Sequence, residues 1–352
     1  TANGGPTGAH ALYNVAVGRS ALYAISSGDY NVALGGATMW NTTTGSNSVA
    51  IGYAAGYSAI SAQDWVYIGY EAGYYGTGNH YSVYVGYQSG KGSGSGGEKN
   101  SALGKGTLQN TNGGSENVAV GYEALNKTTS GDNNVALGRD ALYTNTTTSG
   151  NTAVGYKALY TLDFNNTNSP RSVAVGSKAG YSLDGGYDLT AVGAQAGEKS
   201  DDNYGNTYVG VVSGQNIDDG NFNTAVGGYA LQGADADAND ASYNVAVGYN
   251  SLKAITDGDK NTSLGNDSSK AITTGSNNTT IGNKSNEVLT TGDLNVYIGA
   301  FTKSSAVDIS NEIVIGTGAD DGSDYLLGQG NDKVVIGSEN GYIWNDFSSN
   351  AT

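Results

Sequence analysis

Residues Asn14-Val15-Ala16-Val17-Gly18 form a short motif that recurs along the 352-residue chain. Most copies place Val, Thr or Ser, then Ala, then an aliphatic residue before a glycine. These glycines are Gly18, Gly35, Gly52, Gly69, Gly86, Gly104, Gly121, Gly138, Gly155, Gly176, Gly193, Gly210, Gly227, Gly248, Gly265, Gly282, Gly299, Gly316 and Gly337. Fourteen of the eighteen intervals between them are 17 residues, and the others are 18 or 21. Self-similarity at a fixed period is typical of a solenoid, in which each repeat forms one coil.

The residue immediately before the motif glycine is aliphatic in every copy, which predicts a position that is buried in each coil. We therefore expect a core column that includes Val17, Leu34, Ile51, Val154, Ile281 and Ile315. The residue one position earlier is usually Ala, but it is a tyrosine at Tyr67, Tyr84, Tyr208 and Tyr297. Because side chains alternate across a strand, this second position points to the opposite face.

These features predict an all-β fold, a parallel β-roll or β-solenoid of about nineteen 17-residue coils. Each coil has room for two short strands and two turns, and each strand would pair with its equivalent in the next coil. The unbroken period predicts a single repeat domain over residues 14–337. A leading segment at 1–13 and a C-terminal cap or tail at 338–352 would flank it.

A coil of this kind has little apolar area to offset the ordering of its backbone, which costs about 1 to 2 kcal/mol per residue. We therefore expect a second buried surface between chains. Its candidates are the Ala/Tyr position and a Leu/Gly position four residues after the motif glycine. The sequence thus predicts a homo-oligomer, most simply a homotrimer.

Composition excludes several classes of protein. The 56 glycines lack the Gly-X-Y period of collagen. The formal net charge is −16 and the basic residues do not cluster, so nucleic acid is not an expected partner. No apolar stretch is long enough to predict membrane insertion. The absence of Cys excludes disulfides and thiolate chemistry.

Two stretches resemble known adhesive repeats. Residues 48–55, Ser-Val-Ala-Ile-Gly-Tyr-Ala-Ala, resemble the head repeats of trimeric autotransporter adhesins. Residues 148–160, Thr-Ser-Gly-Asn-Thr-Ala-Val-Gly-Tyr-Lys-Ala-Leu-Tyr, are similar to repeats of phage tail fibres and related bacterial adhesive trimers, which the 17-residue period fits better.

The resemblance implies a trimeric parallel β-roll with a structural and adhesive role in receptor or host-surface binding. It also implies an extracellular location, either on a virion tail appendage or on a bacterial cell surface. The expected partners are two further copies of the chain and a glycan or protein receptor of the host. A bacterial trimeric surface adhesin is the alternative to a phage fibre.

Residues suited to catalysis are sparse. His10 and His80 lie far apart, and neither has an acidic or Ser partner at a recognisable spacing, so no catalytic triad is predicted. We expect neither enzyme activity nor a cofactor. A carbohydrate-active solenoid enzyme stays open as an alternative, which an acidic pair beside aromatic side chains would favour. The threonine runs at 42–44 and 146–148 leave an ice-binding protein as a further alternative.

Acidic turns provide the oxygen ligands that calcium takes, and the candidates are Asp257, Asp259, Asp320 and Asp321. The chain lacks the glycine-rich calcium-binding nonapeptide and the EF-hand pattern. Ordinary solvated turns are therefore the favoured interpretation of these residues.

Many of the 26 tyrosines recur at two positions, one directly after the motif glycine and one four residues later. In register, they would form aromatic ladders that stack from coil to coil or line a chain interface. The alternative is an aromatic surface that contacts sugar rings. Its candidate residues are Trp65, Tyr70, Tyr74, Tyr75, Tyr81 and Tyr87.

Overall fold

The computed structural model describes residues 11–92, 97–162, 171–234, 239–318, 325–338 and 341–346. The chain divides into two compact units, Thr1–Ser172 and Val173–Thr352. Both units are all-β, and together they contain about eighteen parallel solenoid turns at the 17-residue spacing. The predicted fold class is therefore confirmed.

Unit 1 consists of three-residue strands that pair in parallel, each with the next along the chain. Its strands are β1 Val15–Val17, β2 Val32–Leu34, β3 Val49–Ile51, β4 Val66–Ile68, β5 Val83–Val85, β6 Ser101–Leu103, β7 Val118–Val120, β8 Val135–Leu137 and β9 Thr152–Val154. The register is that of the repeat, so Ala16 lies beside Ala33 and Val17 beside Leu34.

Unit 2 repeats the same pairing and ends with an antiparallel strand. Its strands are β10 Val173–Val175, β11 Thr190–Val192, β12 Thr207–Val209, β13 Thr224–Val226, β14 Val245–Val247, β15 Thr262–Leu264, β16 Thr279–Ile281, β17 Val296–Ile298, β18 Thr302–Lys303, β19 Ile313–Thr317, β20 Leu326–Leu327, β21 Lys333–Ser338 and β22 Gly341–Asp346. The short strands β18 and β20 pair with each other, and β22 runs antiparallel to β21.

The centre residue of each strand points into the coil, while the two flanking residues point outward. Ala33, Ala50 and Ala119 are fully buried at strand centres. The expected core column lies on the outside: Val17, Leu34, Ile51, Ile281 and Ile315 are exposed, and Val154 is half-buried. That prediction is wrong, because alternation along the strand turns this position outward once the strand-centre residue points into the coil. Its interior is already filled by the strand-centre residue and a side chain from the following turn.

The interior is filled in two complementary ways. Where the strand centre is Ala119 or Ala136, the buried Leu125 or Leu142 enters from the turn. In other coils the centre is a fully buried tyrosine and the turn carries glycine instead, as in the pairs Tyr67 with Gly73, Tyr84 with Gly90 and Tyr208 with Gly214. The Ala/Tyr and Leu/Gly positions therefore pack within a coil, and the expectation that they are buried between chains is wrong.

Apart from β18 and β20, turns take the place of the expected second strand in the described coils. In the seventh coil, Glu123 (φ +54°) and Leu125 (φ +50°) adopt left-handed backbone conformations that interrupt an extended segment. The turn still bonds to its neighbour, since the Leu125 N–H donates to the Ala141 carbonyl at 3.0 Å. Backbone groups are thus satisfied from coil to coil without a regular strand.

The motif glycine is required by close contact between coils. Gly121 has a φ of +135°, and a Cβ at this position would lie 2.5 Å from the carbonyl oxygen of Gly138 in the next coil. Any other residue would collide with that backbone oxygen and force the coils apart.

A buried asparagine ladder runs beside the strands, at the position four residues before the motif glycine. The Asn134 N–H donates to Asn117 Oδ1 at 2.9 Å, and the Asn151 N–H donates to Asn134 Oδ1 at 3.0 Å. Asn134 Nδ2 also donates to the Thr148 carbonyl at 2.9 Å. These side chains satisfy backbone groups of the turn that would otherwise be buried without partners.

Candidate binding surface

The outward side chains of the strands form an aliphatic face in each unit, which we name the outer strand face. It consists of the first and third residues of the strands. In unit 1, Leu103 is 53% exposed, and Val120 and Leu137 are each 36% exposed. Contiguous exposed apolar area of this kind marks an interaction surface in proteins.

An aromatic ladder on the turns of unit 1, the Trp40 ladder, contains Tyr23, Trp40, Tyr57 and Tyr74. Tyr23 and Trp40 stack with ring centroids 4.9 Å apart, and Trp40 and Tyr57 with centroids 5.9 Å apart. The ring centroids of Tyr57 and Tyr74 are 4.8 Å apart, and the two rings stack in nearly parallel planes. The 17-residue register brings these rings together, because each lies five residues after a motif glycine.

A second ladder in unit 1 follows the position directly after the motif glycine, and we name it the glycine-adjacent ladder. It contains Tyr53, Tyr70, Tyr87, Lys105, Tyr122, Arg139 and Tyr156. Its first three rings stack at centroid distances of 5.5 Å and 5.1 Å.

Cations alternate with rings in the later part of the glycine-adjacent ladder. Lys105 Nζ lies 5.8 Å from the ring centroid of Tyr87 and 5.2 Å from that of Tyr122. Arg139 lies 5.4 Å from the ring of Tyr122 and 6.0 Å from that of Tyr156. Tyr122 is therefore held between two cations, an arrangement that cation–π attraction favours.

The two ladders lie side by side. Lys157 Nζ is 5.6 Å from the ring of Tyr156, which belongs to the glycine-adjacent ladder. The same ammonium group is 4.8 Å from the ring of Tyr160, which occupies the Trp40-ladder position of its coil. A ligand on this side of unit 1 would therefore meet aromatic side chains of both positions.

Glu71 is bound firmly between the ladders. Its carboxylate accepts hydrogen bonds from Lys91 Nζ at 2.7 Å and from Gln88 Nε2 at 2.9 Å. Partial burial acts to raise the pKa of Glu71, but these hydrogen bonds outweigh burial and leave the pKa below its usual value. Glu71 thus stays ionised at neutral pH and is engaged within the chain.

The structure separates the six expected sugar-contact residues. Tyr70 and Tyr87 belong to one ladder and Tyr74 to the other, with Tyr75 edge-on to Tyr74 at 4.6 Å. Tyr81 is exposed but precedes its strand, with His80 as its ring neighbour at 6.1 Å.

Trp65 is not a surface residue, and its assignment as a sugar-contact candidate is wrong. It is 1% exposed and stacks on the buried Tyr67 at 4.0 Å. The reason is its place in the repeat: it occupies the buried asparagine-ladder position, four residues before Gly69. Sequence reasoning did not single out the cations Lys105 and Arg139. Their position directly after a motif glycine would have placed them in the same column as the tyrosines.

Two acidic residues, Glu123 and Asp140, occupy the same position on consecutive coils near Tyr143. Asp140 is engaged by Arg139, with Nε 3.3 Å from the carboxylate oxygen Oδ2. Burial raises the pKa of Tyr143, and the charge of Glu123 adds to this effect.

Of the four calcium candidates, Asp257 and Asp259 lie within the residues that the structure describes. Asp259 Oδ1 accepts a hydrogen bond from the Ser242 N–H at 2.8 Å, the role of a turn residue. Asp320 and Asp321 lie outside the described residues. In the described part of the chain, no group of three or more acidic or His side chains is placed to hold a metal ion.

Unit 2 has a cavity of about 650 Å³ beside its turns. Its lining includes Asn250, Lys253, Asp267 and Lys270, and Lys253 Nζ lies 5.2 Å from the ring of Tyr229. The cavity adjoins Gly233 and Ala234, which precede a segment outside the described residues.

Within the described ranges, no helix has the length and apolar character needed to cross a membrane.

Comparisons of the chain with protein families, with curated proteins and with solved structures give no significant match.

Proposed function

We propose that this chain is a structural and adhesive fibre segment of a phage tail or a similar extracellular appendage, which associates as a homotrimer and contacts the host surface. The observation that supports this proposal is the outer strand face. Its aliphatic side chains recur at every coil, and in the single chain they stay exposed or half-buried. A bacterial trimeric surface adhesin is the alternative, and it would use the same surfaces.

A second copy of the same chain is the occupant that best fits the outer strand face. Both copies carry aliphatic side chains at the same coil spacing, so two faces can match coil by coil in register. Burial of apolar area contributes about 25 cal/mol per Å², so a column of many coils adds up to substantial association energy. The number three comes from the resemblance to trimeric adhesive repeats.

The association is tested by the mass of the purified chain, measured by light scattering coupled to gel filtration. We expect three times the chain mass of 35.7 kDa. The double variant Leu103→Asp/Leu137→Asp should give the monomer mass with an unchanged circular dichroism spectrum, because it places charges in the interface. Ile60→Asp is the matched control, since Ile60 is 42% exposed on a turn away from the outer strand face. A parent chain that runs as a stable monomer would refute the homotrimer.

The adhesive part of the proposal predicts binding without turnover. The ladders of unit 1 offer ring edges, tyrosine hydroxyl groups and cations, which suit contacts with host glycans. We expect glycan-array binding by the trimer and no new reducing ends on incubation with the bound glycan. Release of sugar that is lost in Glu123→Gln would instead favour the solenoid-enzyme alternative, for which the Glu123 and Asp140 pair is the candidate acid and base.

A further inference from the structure

The glycine-adjacent ladder position is empty at one coil of unit 1. The residue after the motif glycine is Arg19 in the first coil, Gly36 in the second and Tyr53 in the third. Since Gly36 has no side chain, a groove of about 230 Å³ opens there. Its lining consists of Arg19, Ser20, Gly36, Ala37, Trp40 and Tyr53.

This groove has the dimensions of one missing ladder member. Arg19 and Tyr53 are two coils apart, which corresponds to about 10 Å. The stacked rings Tyr53 and Tyr70 of the same ladder are 5.5 Å apart, so one ring fits between Arg19 and Tyr53 at ordinary stacking distance. Its volume is below the roughly 300 to 1,000 Å³ of sites for drug-sized ligands, which indicates room for a single ring.

The chain itself shows that this spacing accommodates one ring with a cation beside it. Tyr122 occupies the same position and lies 5.2 Å from Lys105 and 5.4 Å from Arg139. At the groove, Arg19 offers a cation on one side and Tyr53 an aromatic face on the other. Arg19 is exposed and forms no ion pair with the described residues, so its guanidinium group is available to a ligand.

The surroundings favour a ring with apolar faces, a polar rim and a negative charge. The face of the Tyr53 ring opposite Tyr70 and the edge of the Trp40 ring present apolar area, while Ser20 and open solvent meet the rim of the ligand. Guanidinium groups bind carboxylates through paired hydrogen bonds. The chain charge of −16 does not oppose this locally, because residues 11–92 hold only three acidic residues, Asp29, Asp64 and Glu71, against Arg19 and Lys91.

We propose that the Gly36 groove binds one pyranose ring that carries a carboxylate, as in a uronic-acid glycan, with the ring between Arg19 and Tyr53 and beside Trp40. This inference rests on the proposed function and deepens it by naming the class of glycan. The carboxylate pairs with the Arg19 guanidinium, and one sugar face stacks on Tyr53. Adjacent sugars of a chain would extend over the Trp40 ladder.

The test is calorimetric titration of the full-length chain with a galacturonic acid trisaccharide and with its methyl ester. The ester has the same rings but no charge, so we expect it to bind at least about tenfold more weakly. Arg19→Gln should weaken binding of the acid by a similar factor, whereas Arg19→Lys should lose less. Equal affinity for acid and ester would overturn the proposal, as would failure of the parent chain to bind the acid.

Gly36→Tyr is the decisive variant, because it supplies the missing ring from the chain itself. A Cβ at Gly36 would make an ordinary 3.5 Å contact with the Tyr53 ring, so the substitution is compatible with the fold. We expect binding of the acid to be lost while the melting temperature is unchanged or raised. Retained binding by this variant would contradict the proposed position of the ligand.

Gly228→Tyr in unit 2 is the matched control. Gly228 occupies the same ladder position and its Cβ would lie 3.4 Å from the Tyr249 ring, but Val211 stands where the groove has Arg19. This variant should bind the acid like the parent chain. Light scattering on the same samples keeps the two proposals apart: a monomer that binds the acid refutes only the homotrimer, and a trimer that does not bind it refutes only the groove.

Discussion

The ring of Tyr67 occupies the space in which a side chain on Gly73 would lie. A Cβ built on Gly73 would meet Cδ2 and Cε2 of the Tyr67 ring much closer than carbon atoms can approach. Gly73 has a φ of +58°, yet Leu125 holds the equivalent position of another coil at φ +50°, opposite Ala119. In this coil the ring of the strand-centre residue therefore decides what the turn can carry.

This relationship predicts that Gly73→Ala destabilises the chain by about 1 to 3 kcal/mol, because it overpacks the coil. Tyr67→Ala should cost about 3 to 5 kcal/mol through the cavity that it leaves. The double variant Tyr67→Ala/Gly73→Leu recreates the Ala119 and Leu125 arrangement, so its loss should be well below the sum of the single effects. Urea unfolding would measure all three, with Gly36→Ala as the uncrowded control. Additive losses would contradict the coupling.

The asparagine ladder yields a second prediction. Asn134→Ala removes the acceptor of the Asn151 N–H and a donor to the Thr148 carbonyl, and it should cost about 1 to 3 kcal/mol. Asn134→Ser should cost less, because Ser48 and Ser82 occupy the same ladder position in other coils. Thermal unfolding would measure both, and the exposed Asn266→Ala serves as the control. Equal losses for the Ala and Ser variants would argue against a hydrogen-bonding role.

Asp219 gives a pH-dependent prediction. Burial raises the pKa of Asp219 in the folded state, and repulsion from Asp240, Asp202 and Asp201 adds to this increase. A raised carboxyl pKa means that ionisation opposes folding, so the penalty is present at neutral pH and disappears below the unfolded-state pKa of about 4. Asp219→Asn should therefore raise the free energy of unfolding at pH 7, by less than about 1 kcal/mol because of solvent screening.

The gain in unfolding free energy from Asp219→Asn should vanish at pH 3, where the Asp219 carboxyl group is protonated in both the folded and the unfolded chain. Asp308→Asn, an exposed site in the same unit, makes the same change in net charge and should show no comparable gain. Urea unfolding of the parent and both variants at the two pH values measures the difference. An equal gain for Asp308→Asn would indicate a general charge effect rather than the local acidic cluster.

Removing an aromatic side chain from the part of the glycine-adjacent ladder that contains cations should create a new binding site for the acid. Tyr122→Gly would leave a gap between Lys105 and Arg139, so in the Gly36→Tyr background it should restore binding of the galacturonic acid trisaccharide. Tyr70→Gly, between the rings of Tyr53 and Tyr87, leaves a gap without cations and should not favour the acid over its ester. Calorimetric titration of both variants measures this, and no recovery in Tyr122→Gly would contradict the role of the cations.

The period, the parallel register and the motif glycine follow from the sequence alone. A fixed spacing places equivalent residues beside each other in successive coils, as in the pairing of Ala16 with Ala33. The aromatic ladders follow for the same reason, because residues such as Tyr57 and Tyr74 share one place in the repeat. The position of Trp65 in the buried asparagine column was also readable from that spacing.

Only the tertiary structure decided which strand face is the interior. Alternation assigns Ala33 and Leu34 to opposite faces, but it does not say which face is enclosed. The rule that aliphatic side chains lie inside fails here, because a narrow coil closes around Ala33 and leaves Leu34 outside. The groove at Gly36 likewise depends on its neighbours: a missing side chain becomes a site only where packed coils hold Arg19, Trp40 and Tyr53 around it.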